Sequence, residues 1–228
     1  AEETGKEAAR LAGTRITLDR VLTREAFENA MRVLLAIGGS TNGVVHLAAL
    51  HGRLGLRFDL DRLDALSEET PVLVDLKPTG NHYMEDFHAA GGMPVVLREL
   101  KRWLHLDALT VTGRTLGEVL DGPYEWPAWQ SVIRRAAAPL HPEGALVVLR
   151  GSLAPDGAVL KRSAASPHLL EATGRAVVFR SLEDLAARVD SPDLDVRPED
   201  FLVLQNAGPV GGPGMPEAGY LPIPRKLA

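Results

Sequence analysis

Glu217 is the single acid at the end of a loop, Asn206-Ala207-Gly208-Pro209-Val210-Gly211-Gly212-Pro213-Gly214-Met215-Pro216-Glu217, which follows directly on an apolar run. Glycine admits positive φ and close backbone approach, while each proline fixes φ and removes an N–H, so this loop is both oddly shaped and stiff. A lone carboxylate on a stiff loop can act as a metal ligand, a base or a cap. The plain alternative is a tight structural connection, which glycine and proline also punctuate.

A second candidate is Ser40-Thr41-Asn42, which follows Gly38-Gly39 and precedes an apolar stretch from Val44 to Leu50. These small polar residues read as the cap of a helix whose free N–H groups would suit an anion, with simple capping between two core helices as the other reading. His82, Glu85, Asp86 and His88 lie close enough for a metal site or for ordinary charge pairing on a solvated helix, and they contain no His-x-x-x-His pair. His46 and His51 fall on an otherwise apolar helix, where packing or a hydrogen bond is expected. Neither a nucleophile elbow, a Walker loop nor a dinucleotide fingerprint occurs.

The elements that must position these groups follow from periodicity. Phe27, Ala30, Met31, Leu34 and Ile37 form a helical stripe over 23–37, with Thr23 as N-cap. A second helix runs from Ser40 to Gly52, and a third from Asp59 to Glu69, stopped by Thr70-Pro71. Val72-Leu73-Val74 reads as a buried strand entering the polar turn Asp75–Gly80, the end of a strand where open α/β sheets place ligands. Met84–Ala90 is helical and ends at Gly91-Gly92, and Pro94 is placed as the first residue of a helix to Trp103. Thr110-Val111-Thr112 reads as a strand, and Thr115-x-x-Glu118 as a capping box. After a stretch rich in proline and tryptophan between Gly122 and Gly144, strands prevail. Residues 145–150 and 158–161 flank the turn Pro155-Asp156-Gly157 as a hairpin. Residues 175–179 and 201–204 are further strands, with a helix from Ser181 to Val189 between them.

Composition narrows the function classes. The chain has 228 residues, 45% of them apolar and 24% charged, which is ordinary for a globular protein. A net charge of −5 offers no basic field for nucleic acid or anionic lipid. No run of about 18 apolar residues and no signal-peptide pattern occurs, so the cytoplasm is the default location and no membrane partner is expected. With no cysteine, the chain by itself makes no disulfide and no thiolate-held zinc or iron–sulfur centre. Polar helix-like residues open the sequence without a methionine and Pro224-Arg225-Lys226-Leu227-Ala228 closes it, which reads as an internal piece of a longer protein.

Four segments taken together resemble the dihydroxy-acid and sugar-acid dehydratase family, which includes 6-phosphogluconate dehydratase. They are Ala36–Asn42, Asp75–Gly80 with Met84–Gly92, Leu106–Gly113, and Leu149–Ala158, and the loop ending Gly214-Met215-Pro216-Glu217 is a fifth. Their order and spacing span nearly the whole chain. The resemblance implies a hydro-lyase that converts a 2,3-dihydroxy acid to a 2-keto-3-deoxy acid. It also implies an iron–sulfur cluster acting on the departing hydroxyl, a magnesium ion (Mg2+) at the carboxylate end and a serine base, as charge stabilisation of leaving hydroxide and enolate would require. Of the implied ligands only one maps here: Glu217, for magnesium. The cluster cysteines, the remaining magnesium ligands and the serine fall outside the sequence, so the piece alone is expected to be inactive.

The resemblance further implies an α/β fold, the end of an α/β domain followed by the start of a β-barrel-like domain. Residues 1–125 would be the C-terminal part of the α/β cluster-binding domain, 126–144 a linker and 145–228 the first part of the barrel-like domain. Exposed strand edges in an incomplete barrel would favour association or poor solubility. Ser40, Thr41 and Asn42 are candidates to line the substrate pocket. Met84-Glu85-Asp86-Phe87, Leu221-Pro222-Ile223-Pro224 and Ala164–Leu170 look more like the aldonic-acid members than the branched-chain biosynthetic ones. A small hydroxy acid is the expected ligand and a homo-oligomer the expected full-length state. The competing reading is a non-catalytic module that binds an anion or a metal.

Overall fold

The computed structural model describes residues 2–207 and 221–228. The chain is mixed helix and sheet, consistent with an α/β fold, and divides into two compact units, Ala1–Ala164 and Ala165–Ala228. Among the described residues no helix is long and apolar enough to cross a membrane.

The first unit opens with α1 (Glu2–Leu11), which buries nothing, and the short α2 (Leu18–Val21). Next comes α3 (Arg24–Ala36), where the Thr23 side chain accepts a hydrogen bond from Ala26 N as the sequence predicts. It is followed by α4 (Thr41–Arg53) and α5 (Leu60–Glu69), capped by Ser40 and Asp59 respectively. Then come α6 (Met84–Ala89), α7 (Gly92–Glu99) and α8 (Leu116–Leu120), the last opened by the expected capping box of Thr115 and Glu118. The unit closes with an antiparallel hairpin, β1 (Leu146–Leu149) and β2 (Ala158–Lys161), in the register Leu146↔Lys161 to Leu149↔Ala158. Gly157 makes its turn possible at φ +105°.

Helix α3 is the spine of this unit. Met31 and Leu35 pack on Val44, Leu63, Leu66 and Leu146, while Ala36 belongs to a second apolar group with Leu73, Val74, Phe87, Val96 and Ile133. Leu35, Leu66, Leu73 and Val96 are wholly buried, so each contributes about 1.5–3 kcal/mol by leaving water.

Three expectations need correction. Val72–Val74 is extended but is not a continuous strand: Val72 bridges His141 and Val74 bridges Ile133, both antiparallel, because its partner is the irregular segment 132–141. Thr110–Thr112 is a turn. Its threonine hydroxyls satisfy the backbone locally, Thr110 Oγ1 donating to Arg114 O at 2.8 Å, and Gly113 takes φ +80°. Helix α7 begins at Gly92, not at Pro94. Gly91 and Gly92 supply positive φ values of 95° and 59°, Pro94 falls inside the first turn, and the helix ends at Glu99 before a 3-10 turn over Lys101–Trp103.

The second unit pairs β3 (Ala176–Phe179) in parallel with β4 (Phe201–Leu204), with α9 (Leu182–Arg188) between them in sequence. Val177, Phe179, Leu185, Val189, Leu194 and Val196 form its core. Ser181 caps α9 by accepting from Asp184 N. Arg175 grips Asp200 through two bonds, Nη2 to Oδ2 at 2.7 Å and Nε to Oδ1 at 3.2 Å, and also pairs with Asp195, tying together the starts of both strands. The described sheets are these two pairs of strands.

Candidate functional site

The start of α4 is set by a tight helix–helix corner. Gly39 N donates to Leu34 O at 2.9 Å, and a Cβ on Gly39 would lie 2.4 Å from that same oxygen, so no other residue fits without backbone movement. A Cβ on Gly43 would meet Leu34 Cδ1 at 2.6 Å. Between these two glycines Ser40 takes an extended conformation and its Oγ accepts from Gly43 N at 3.2 Å. The amides of Thr41 and Asn42 then precede any acceptor that α4 itself supplies, and they carry the positive end of a thirteen-residue helix. Ser40 is exposed while Thr41 and Asn42 are half-buried. An anion is the ligand such an end favours. Ala36 O accepts from Leu73 N at 2.7 Å, which ties this corner to the extended segment leading into Asp75.

His82 occupies a separate polar node. Its Nε2 lies 3.4 Å from Ser131 Oγ and 3.8 Å from Asp75 Oδ2, and its Nδ1 lies 3.9 Å from Asp86 Oδ2. Asp86 Oδ2 is itself occupied, accepting from Tyr83 N at 2.8 Å at the start of α6, and Asp75 Oδ1 accepts from Asn81 N at 2.9 Å. These carboxylates are therefore used in shaping the 75–86 turn. Of the four clustered residues the structure brings His82 and Asp86 together, whereas Ser131, 49 residues away, gave no local signal. Among the described residues no group of three or more His, Cys, Asp or Glu side chains is placed to hold a metal ion. His51 is buried, as its apolar helix suggests: Nδ1 donates to Leu47 O at 2.9 Å, and the ring stacks on Phe27 with centroids 3.8 Å apart. Glu217 lies outside the described residues.

One node was not foreseen. Glu28 accepts two bonds from Arg62, Nε to Oε1 at 2.8 Å and Nη2 to Oε2 at 2.7 Å, and Oε2 also lies 2.9 Å from His105 Nε2. The Arg62 hydrogen bonds hold the Glu28 carboxyl down at about 2, against the opposing effect of burial. Asn29 fixes the same corner by exchanging two bonds with the backbone of His105. Glu28 and Arg62 of this node line a cleft of about 850 Å³ that also touches Met31, His51, Phe58 and Arg150. The cleft lies by the C-terminal end of α4, the end opposite Ser40.

The sequence matches the N-terminal model of the dihydroxy-acid/6-phosphogluconate dehydratases over residues 1–119 and the C-terminal model over residues 131–228. The chain belongs to the dihydroxy-acid/6-phosphogluconate dehydratase family. Among relatives, it is 44% identical over 229 residues to an L-arabinonate dehydratase of Rhizobium leguminosarum bv. trifolii, and 46% identical over 231 residues to an L-arabonate dehydratase of Azospirillum brasilense. Each alignment covers 100% of this chain and 39% of the relative. A dihydroxy-acid dehydratase of Methanothrix thermoacetophila is 43% identical over 219 residues, 95% of this chain and 40% of that protein. The chain thus spans about two fifths of the length of these family members.

Proposed function

We propose that the chain forms part of a hydro-lyase that removes water from a 2,3-dihydroxy sugar acid and leaves a 2-keto-3-deoxy acid. The observation that carries this reading is the family match along both parts of the chain, joined to relatives of 44% and 46% identity named for arabinonate. A second reading, a dihydroxy-acid dehydratase, draws on the 43% identity to the Methanothrix protein. Within the first, Ser40, Thr41 and Asn42 line the substrate pocket. The α4 amides would hold the substrate carboxylate by directed hydrogen bonds and the helix dipole, leaving the C2 and C3 groups free to react.

The described residues do not by themselves form a site for magnesium or for an iron–sulfur cluster, and the chain has no cysteine to offer. In this reading Glu217 contributes one oxygen ligand to magnesium, and the cluster is held by residues outside the sequence. Replacing Glu217 by Gln in a full-length chain is expected to weaken magnesium binding measured by titration calorimetry, and unchanged affinity would remove that assignment. The domain division at 1–125, 126–144 and 145–228, with a barrel-like second domain, is part of the same proposal. It is supported by the gap between the two family matches at residues 119 and 131 and by the strand pairs after residue 145. The net charge of −5 supports the absence of a nucleic-acid partner, and a cytoplasmic location and homo-oligomeric assembly belong to the same proposal.

The test is direct: the full-length protein should form a 2-keto acid, trapped as its semicarbazone, from an aldonate. Asn42→Ala should raise KM more than it lowers kcat. No keto acid from either an aldonate or 2,3-dihydroxyisovalerate would defeat the proposal.

A further inference from the structure

Among the described residues Asn206 is the one residue other than glycine with a positive φ, +57°. Most side chains are strained in that left-handed region, and asparagine is one of the few that visit it. Every other positive φ described belongs to a glycine, which would adopt this backbone more easily. Asparagine at this position supplies what glycine lacks: its Nδ2 donates to Arg180 O at 3.0 Å. The bond falls at a junction. Gln205 N donates to Phe179 O at 2.8 Å, carrying the parallel pairing of β3 and β4 one step past Leu204. Arg180 is itself fixed, since its N donates to Asp184 Oδ2 at 2.8 Å in the first turn of α9. Asn206 thus fastens the chain leaving β4 to the chain leaving β3, at the end opposite the Arg175–Asp200 clamp. The run of glycine and proline that ends at Glu217 begins directly after Ala207.

We propose that Asn206 is a positioning residue for Glu217, and that its bond to Arg180 fixes the point and direction from which the acid-bearing loop starts. The proposal rests on the reading of Glu217 as a magnesium ligand. A non-glycine residue held in a sparsely populated conformation by its surroundings is a feature that clusters at ligand clamps. Pro209, Pro213 and Pro216 restrict φ along the run, so a fixed start is felt further along it than in a freely turning chain. A loop anchored beforehand also loses less conformational freedom when the ion binds, which raises affinity without any new contact to the metal.

The test uses the full-length protein, stripped of divalent metal, with magnesium alone titrated in a calorimeter. Asn206→Gly keeps the backbone conformation and loses only the bond to Arg180 O. It should weaken magnesium binding about tenfold, the scale on which residues that support a metal ligand act. Glu217→Gln is measured beside it, and the two substitutions are then combined. On the Glu217→Gln background Asn206→Gly should cause no further loss, because the side chain it positions no longer holds the ion. Unchanged affinity in Asn206→Gly, with binding weakened in Glu217→Gln, would overturn this inference and leave the magnesium reading standing. A full further loss in the double variant would also overturn it, since that marks a general loosening of the second unit. Unchanged affinity in Glu217→Gln would defeat the magnesium reading itself, and the role of Asn206 with it.

Discussion

Replacing Glu28 by Gln keeps the side chain's size but removes the charge that Arg62 and His105 share. Glu28 titrates at about 2 rather than its ordinary 4.5, chiefly because of the Arg62 hydrogen bonds. At 1.36 kcal/mol per pH unit that difference corresponds to an upper bound of about 3 kcal/mol of folding free energy. The Glu28 side chain is 13% exposed but that of Arg62 is 40%, so solvent screening reduces the figure to about 1–2 kcal/mol. The sign follows from linkage. A carboxyl whose folded-state value is depressed binds its proton more readily when unfolded, so its contribution is complete above pH 4.5 and is lost as pH falls toward 2. The assay is urea unfolding of the first unit at several pH values between 7 and 2, in the unaltered chain and in Glu28→Gln. The unaltered chain should be more stable by about 1–2 kcal/mol at pH 7, and the gap should close below pH 3. A gap that is absent at pH 7, or that persists unchanged to pH 2, would refute the reasoning.

Two further substitutions probe how the site is positioned. Gly39→Ala forces a Cβ against the backbone oxygen of Leu34 and should cost about 1–3 kcal/mol in urea unfolding. Gly43→Ala meets only the movable end of the Leu34 side chain and gains about 1 kcal/mol of helix propensity, so it should cost distinctly less; equal costs would show that the corner is not held as described. Leu66→Ala empties a wholly buried position between α3 and β1 and should lower stability by about 2–5 kcal/mol, while a loss under 1 kcal/mol would mean that this core is loosely packed.

What the sequence revealed was mostly what a short window contains. Thr23, Ser40 and Thr115 were legible as caps because each bonds to an amide three residues on. Pro155-Asp156-Gly157 was legible as a turn because its glycine is the residue that tolerates φ +105°. Misreadings arose where distant partners or local hydroxyls decided the outcome. Val72–Val74 has strand composition, but its bridging partners, His141 and Ile133, lie far along the chain in an irregular segment. Thr110–Thr112 has β-branched residues, but its hydroxyls bond within the turn. At the candidate site, the α4 start could be read from Gly-Gly-Ser-Thr-Asn. The grip of Leu34 on both glycines and the Glu28–Arg62–His105 node join residues with no pattern to connect them. The loop carrying Glu217 was conspicuous in composition and lies outside the described residues.

The most direct test of the proposed function is the ratio of kcat/KM for a pentonate over 2,3-dihydroxyisovalerate, measured on one preparation of the full-length protein. A sugar-acid dehydratase should give a ratio well above one, with a 2-keto-3-deoxy acid as the product. A ratio below one would contradict the sugar-acid assignment.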